Sequence, residues 1–242
     1  MNDAAGQIKA ASVVLPTYNE AANITALIRE ILAQTRAAGF EVQVVVVDDD
    51  SPDGTSALVG REFADQPQVK LVVRRGERGL ASAIRRGVSE SEHEALVFMD
   101  TDFNHHPRYL PTLLALLPAC HIALGSRYVR GGGMNNSRLR YWLSYFFNIM
   151  VRVVLGVKTH DNLSGFIAIR RQDLLRFDQD LIFQGYGDYA IRLLYHAQRA
   201  GLCVRETPVV YEERLGGESK TRFLRTFILY LRETWALRSG KP

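Results

Sequence analysis

Apolar and polar positions fall in blocks along this chain, and the period changes from block to block. Residues 11–15 form a short apolar run, which predicts a strand feeding the loop Pro16-Thr17-Tyr18-Asn19-Glu20. Ile24, Leu27, Ile28, Ile31 and Leu32 then recur with helical spacing, so a helix is expected over 21–36, with Asn19 or Asn23 as its cap and Gly39 as its stop. Residues 42–47 are β-branched apart from Gln43, the composition of a strand covered on both faces. This run stops at Asp48-Asp49-Asp50-Ser51-Pro52-Asp53-Gly54-Thr55, a polar turn rich in helix-start signals. A helix over 56–63, a strand at 69–73, a helix over 80–89 and a strand at 95–99 follow. The last of these ends abruptly in Asp100-Thr101-Asp102, then Asn104 and His105, with a new helix starting near Pro107.

Strand and helix alternate four times before Pro107, which predicts an α/β fold: a mainly parallel sheet with helices on both faces. In such sheets ligands bind outside the carboxyl ends of the strands, where Glu20, Asp48, Asp49, Asp100 and Asp102 fall here. Along an extended chain Asp100 and Asp102 point to one side, and Asn104 can follow. Oxygen ligands so spaced suit Mg²⁺ or Mn²⁺, which complete their shell with substrate phosphates. A plain acidic loop capping the next helix would look the same, so Asp-Thr-Asp alone does not decide.

The second half is less regular. A strand is expected at 122–124, running into Gly125-Ser126-Arg127-Tyr128, and another opens at Asp161 and runs to Ile169. In 138–155, Arg140, Ser144, Asn148 and Arg152 form one thin polar stripe on an otherwise apolar helix. Such a helix is usually core, but arginines at its start also suit a membrane surface. A helix opened by Gly185-Tyr186-Gly187-Asp188 runs to Ala200, a strand spans 204–210, and a polar loop carries Arg214 and Lys220. The last helix, 221–237, interleaves aromatic residues with arginines. It sets a C-terminal appendage, 221–242, apart from a main domain over 1–220.

Composition removes whole classes of function. The 242 residues, 47% hydrophobic and 23% charged, make an ordinary globular balance. A net charge of +4 is too small to argue for nucleic acid but allows a basic patch for phosphates or anionic lipid. Two cysteines, Cys120 and Cys203, give neither a disulfide framework nor a metal site, which favours a reducing cytosolic compartment. No signal core and no run of about 18 apolar residues is present, so a soluble or peripherally bound protein is expected. Gly-x-Gly-x-x-Gly is missing from every strand–helix junction, and Gly-Gly-Glu-Ser-Lys-Thr at 216–221 lacks the glycine directly before the lysine. Dinucleotide-binding and P-loop readings therefore fall.

Pro16-Thr17-Tyr18-Asn19-Glu20, Asp48 to Thr55, Asp100-Thr101-Asp102, Gly125-Ser126-Arg127-Tyr128 and Gly217-Glu218-Ser219-Lys220 occur in the order seen in family 2 glycosyltransferases of the GT-A fold. Within that family the chain most resembles dolichol- or polyprenol-phosphate mannosyltransferases, from about Val13 to Lys220. The resemblance implies inverting transfer of a sugar from a nucleotide donor, usually GDP-mannose although a UDP-sugar is not distinguished, to a polyprenyl phosphate at the cytosolic face of a membrane. It implies that Pro16, Tyr18, Glu20 and Asp49 line the nucleoside pocket, and that Asp100, Asp102 and Asn104 hold Mg²⁺ or Mn²⁺ against the diphosphate. It further implies that Arg127, Arg140 and Ser144 meet the acceptor phosphate, with Arg214 and Lys220 closing over the donor phosphates.

The chemistry is consistent with those roles. Cleaving a glycosyl-diphosphate bond builds charge on the leaving nucleotide, which a metal and Arg/Lys groups stabilise without proton transfer. A phosphate acceptor is already anionic and needs positioning rather than a base. Three positions depart from the family pattern: Asn104 stands where glutamine is usual, His106 where a second proline is common, and Asp188 where hydroxyl-acceptor relatives carry a base. Asp188 keeps a transferase acting on a sugar hydroxyl open, and it is equally read as a carboxylate favoured by a helix N-terminus. A nucleotide-sugar-binding subunit of a membrane complex is the non-enzymatic alternative. Without membrane spans, attachment falls to the helices over 138–155 and 221–238.

Overall fold

A computed structural model describes residues 7–135, 137–212 and 223–240. The first half follows the expected alternation: β1 (Ala10–Thr17), α1 (Ile24–Ala37), β2 (Glu41–Asp48), α2 (Thr55–Glu62), β3 (Val69–Val73), α3 (Leu80–Glu90), β4 (Ala95–Phe98) and α4 (Leu110–Leu116). The second half adds β5 (Ile122–Ser126), β6 (Gly133–Met134), α5 (Arg138–Leu155), β7 (Ile167–Arg170), α6 (Arg171–Leu174), α7 (Gln179–Ile182), α8 (Tyr189–Arg199), β8 (Val204–Pro208), β9 (Val210–Tyr211) and α9 (Phe223–Ser239).

The main sheet has the order β3-β2-β1-β4-β7-β5-β8. Neighbours are parallel except at β7, which runs antiparallel to both β4 and β5. Val13, Val14, Leu15, Val44, Val45, Val46 and Val47 are all fully buried, as strands covered on both faces must be. One face packs on α1 and α4, through Leu27, Ile28, Ile31, Leu110 and Leu113. The other packs on α3 and α8, through Ile84, Val88, Ala190 and Leu194. Gly87 lets α3 come down onto β1, since a Cβ there would meet Val14 Cγ1 at 2.2 Å.

Chain order reverses at β1: β2 and β3 lie to one side of it and β4 to the other. This is the switch point at which loops from adjacent strands diverge and leave a crevice. The loops after β1, β2 and β4 all open there.

Several local expectations differ. Asn23 stands at the N-cap of α1, but its side chain makes no cap hydrogen bond and Nδ2 donates to Glu20 Oε2 at 3.2 Å instead. The strand expected from Asp161 starts only at Ile167, because residues 161–166 are spent on side-chain hydrogen bonds. The strand over 204–210 is split at Val209, and its second part pairs with β6 in a separate two-stranded sheet. The helix opened by Gly185 begins at Tyr189. The short helices α6 and α7 carry no clear periodic signal.

Helix α5 is neither wholly core nor wholly exposed. Phe147, Val151 and Leu155 are buried with Ile191 and Leu237, whereas Leu139, Trp142, Phe146 and Val153 are 52–78% exposed. Helix α9 packs along α5, with the Phe147 and Phe227 rings edge to face at 4.9 Å. Among the described residues, no helix is long and apolar enough to cross a membrane.

Candidate active site

The loops at the switch point hold one another in place. Asp48, at the end of β2, accepts from Ser51 N at 2.9 Å and Ser51 Oγ at 2.5 Å. Burial pushes the Asp48 carboxyl pKa upward, and these hydrogen bonds work against the shift. Ser51 Oγ then accepts from Asn19 N, Thr55 Oγ1 from Glu20 N, and Asp53 Oδ2 from Ala21 N, each within 3.0 Å. Most of the polar run 48–55 therefore serves as scaffold for the loop that presents Tyr18 and Glu20.

A cavity of about 350 Å³ lies above that scaffold and brings together Pro16, Tyr18, Glu20, Asp49, Asp100 and Asp102. Arg78 adds a cation, its guanidinium carbon 4.2 Å from the centre of the Tyr18 ring. Asp49 is engaged from two sides: Arg74 Nε and Nη2 donate to Oδ1 at 2.7 and 2.5 Å, and Gly79 N donates to Oδ2 at 2.9 Å. It thus ties the β3–α3 loop, and Arg78 with it, to the end of β2.

The chain beyond β4 is pinned by His105, which is fully buried and stacked on Phe166. Asp100 N donates to His105 Nδ1 at 2.8 Å, so the neutral ring carries its proton on Nε2, which lies 2.7 Å from Tyr211 Oη. Tyr211 is hydrogen-bonded in turn to Ser164. Burial lowers the His105 pKa to about 4, against an opposing pull from Asp102, and keeps the ring neutral near pH 7.

Asp102 is buried, and both its oxygens face Asn104: Oδ1 accepts from the backbone N at 3.1 Å and Oδ2 from Nδ2 at 2.8 Å. This leaves Asn104 Oδ1 as a buried oxygen with no hydrogen-bond partner. An orphaned amide oxygen costs free energy unless something supplies positive charge to it. Together with the two carboxylates it makes an all-oxygen donor set of the kind Mg²⁺ or Mn²⁺ takes. In donor chemistry these residues fit such a metal.

A second cavity, about 240 Å³, adjoins the first, and Asp100, Leu163 and Tyr230 line both. Its polar wall is Asn104, Arg127, Arg140 and Ser144, and its apolar wall includes Met134, Leu143, Phe147 and Phe227. Arg127 is buried and paired with Asp161, donating from Nε and Nη2 at 2.8 and 2.7 Å. Burial opposes the Arg127 charge, yet the Asp161 carboxylate more than offsets it and its pKa lies above the ordinary arginine value. Arg127 also lies over the Tyr211 ring at 4.6 Å. It can present a fixed cation to an anion, but not as a free one.

Asp188 does not line either cavity. Its carboxylate accepts from Arg192 Nη1 at 2.7 Å and from Tyr186 N at 2.6 Å. Arg214 and Lys220 lie outside the described residues. Arg74, Arg78, His105, Asp161 and Tyr230 carry no role in the sequence reading. The pairings of Arg74 and Asp161 are long-range, and Tyr230 is one aromatic among many in its helix. Only His105, directly after the acidic run, had a positional signal. Helix α9, set apart in the sequence as an appendage, contributes Thr226, Phe227 and Tyr230 to the second cavity.

A mainly parallel α/β sheet with an acidic crevice at its switch point, beside a second cavity with arginines on one wall, is an architecture of the GT-A type. The chain belongs to the glycosyl transferase family 2, whose model matches residues 12–176. It is therefore a glycosyltransferase. It is 34% identical to the undecaprenyl-phosphate mannosyltransferase of Micrococcus luteus, over 86% of this chain and 85% of that protein. It is 36% identical to the polyprenol monophosphomannose synthase of Mycolicibacterium smegmatis, over 86% of this chain and 79% of that one. Among solved structures, the glucosyl-3-phosphoglycerate synthase of Mycobacterium tuberculosis with Mn²⁺ and UDP-glucose superposes with a TM-score of 0.72 at 22% identity, covering 97% of this chain and 80% of the other. That likeness confirms the fold.

Proposed function

We propose that this enzyme transfers a sugar, mannose from GDP-mannose as the leading case, to the phosphate of a polyprenyl phosphate, with inversion at the sugar carbon. The observation that carries the reading is the meeting of two unlike cavities at Asp100. One is acidic and aromatic, with Pro16, Tyr18, Glu20 and Asp49; the other is basic at one wall and apolar at the other. A nucleotide sugar fits the first, and a phosphate on a hydrocarbon chain fits the second. The relatives named for undecaprenyl phosphate and polyprenol support the same acceptor class.

In this reading Tyr18 and Arg78 pack around the nucleoside, and Glu20 and Asp49 supply acceptors for its polar groups. Asp100, Asp102 and Asn104 would hold Mg²⁺ or Mn²⁺, which supplies charge stabilisation for the leaving diphosphate. Arg214 and Lys220 are assigned to the donor phosphates from the sequence. Arg140 and Ser144, with Arg127 behind them, fix the acceptor phosphate so that one oxygen faces the sugar carbon. No base is required, which agrees with Asp188 being paired to Arg192. The exposed apolar residues of α5 and α9 support a peripheral position on the cytosolic face of a membrane, where such an acceptor resides.

The test is a donor screen, GDP-mannose against UDP-sugars, with a short polyprenyl phosphate and added Mg²⁺ or Mn²⁺. Metal-dependent formation of a polyprenyl-phosphate sugar is expected. Transfer only to sugar hydroxyls would overturn the acceptor assignment, and binding without turnover would favour a nucleotide-sugar-binding subunit.

A further inference from the structure

Asp100, Leu163 and Tyr230 are the three residues that line both cavities, so they wall the point where a donor in one meets an acceptor in the other. Asp100 brings a carboxylate, and Leu163 offers no side-chain polar atom. Tyr230 brings a hydroxyl, and it comes from α9, beyond the residues that match the family model.

The position of that hydroxyl is built rather than incidental. The Tyr230 ring packs against Phe147 of α5, with centroids 6.2 Å apart. Its tip lies on the backbone of Gly187, where an added Cβ would come within 2.0 Å of Tyr230 Oη. Both sides of this contact are anchored to one guanidinium. Arg192, 1% exposed, donates from Nη1 to Asp188 Oδ2 at 2.7 Å and lies 2.9 Å from Glu233 Oε2. Asp188 follows Gly187, and Glu233 stands almost one helical turn beyond Tyr230. Arg192 Nε also donates to Ile182 O at 3.1 Å, and Nη2 to Gln184 O. The loop before α8 and helix α9 are thereby tied together at Tyr230.

We propose that Tyr230 is a catalytic residue of the transfer, its hydroxyl donating a hydrogen bond to the acceptor phosphate beside Asp100, with Arg192 as the positioning residue that sets it there. The proposal rests on the phosphate-acceptor reading above. A preorganised O–H donor at the junction of the two cavities can share the charge of the acceptor oxyanion as it meets the donor sugar. Arg127 is committed in part to Asp161, which leaves room for another donor at the junction. A phenolic hydroxyl keeps its proton near neutral pH, so the group is a donor and not a base. The bond that forms joins an acceptor oxygen to the sugar carbon. The bond that breaks is the one from that carbon to the donor diphosphate, which leaves with the electron pair; no proton passes through Tyr230.

The experiment compares wild type, Tyr230→Phe and Gly187→Ala with GDP-mannose, undecaprenyl phosphate and Mg²⁺ or Mn²⁺, measuring kcat, KM for each substrate, and thermal midpoint. Tyr230→Phe deletes only the hydroxyl, and a fall in kcat of about 10- to 100-fold is expected with the donor KM and the midpoint unchanged. Gly187→Ala keeps the hydroxyl but pushes it aside and is expected to lower kcat in the same direction. Wild-type kcat in Tyr230→Phe would overturn the role of Tyr230 and leave the enzyme's function standing. A loss accompanied by a matching fall in midpoint would make Tyr230 a packing residue and also overturn it. A wild-type protein that transfers to no polyprenyl phosphate would remove the underlying reading, and this one with it.

Discussion

Asp161 receives three hydrogen bonds from Arg127 alone: Nε at 2.8 Å, Nη2 at 2.7 Å and the backbone N at 3.0 Å. The carboxylate is fully buried and the arginine nearly so. The pair orients the cation at the wall of the second cavity and joins the end of β5 to the segment before β7. Breaking it from either side leaves one buried charge uncompensated. Asp161→Ala is expected to cost about 3–5 kcal/mol of stability. Chemical denaturation with an unchanged slope would measure it, and a loss below about 1 kcal/mol would show that water reaches the site.

How much of this was legible in the sequence depends on the range of the interactions. The β1–α4 half follows from local period, and its acidic strand ends announce the crevice because parallel strands deliver their loops to one edge. The antiparallel β7 was hidden, because Ile167, Ala168 and Ile169 are buried whichever way the strand runs. The pairs Arg127–Asp161 and Arg74–Asp49 were hidden for a different reason: 34 and 25 residues separate the partners, and no pattern along the chain encodes a charge pair at that distance. Helix α5 was ambiguous since its apolar residues serve two environments, the core on one side and solvent-facing positions on the other.

The orphaned Asn104 Oδ1 makes a second expectation specific. If it is the third protein ligand, Asn104→Ala should raise the Mn²⁺ or Mg²⁺ concentration for half-maximal activity by about tenfold or more, at roughly 1.4 kcal/mol per tenfold. Asp102→Ala should abolish metal-dependent transfer, and a chelator should do the same to wild type, reversed by added metal. Metal titrations at saturating donor would check all three. An unchanged metal requirement in Asn104→Ala would exclude the amide as a ligand.

The Asp188 carboxylate separates the two acceptor chemistries. Because it bonds Arg192 and stays off both cavity walls, Asp188→Asn should mainly affect stability, by about 1–3 kcal/mol for a weakened charge-assisted hydrogen bond. Transfer to polyprenyl phosphate should fall no further than in Tyr230→Phe, because Asp188 acts on it only through the Arg192 anchor of Tyr230. Near-complete loss of turnover in a folded variant would instead make Asp188 a base and point to a hydroxyl acceptor.

Membrane attachment is expected from the outward face of α5. Leu139, Trp142, Phe146 and Val153 lie on it at helical spacing and are 69%, 52%, 61% and 78% exposed. Ile228, Leu229 and Trp235 extend the exposed apolar surface on α9, which packs beside α5. Leaving such side chains in water forgoes about 1.5–3 kcal/mol for each large residue that could be fully buried. Arg138, at the start of α5, suits an anionic headgroup layer. The protein is therefore expected to bind liposomes containing anionic lipid, more weakly as salt rises. Trp142→Ser with Phe146→Ser should lower the partition coefficient by at least tenfold, since even half the burial of each ring is worth about 1.5 kcal/mol for the two together. Co-sedimentation with vesicles would measure this, with the thermal midpoint as a control for folding. The same variant should keep its activity toward a short, water-soluble polyprenyl phosphate while losing activity toward undecaprenyl phosphate in vesicles. Equal losses on both acceptors would place these rings in the catalytic step instead of at the membrane.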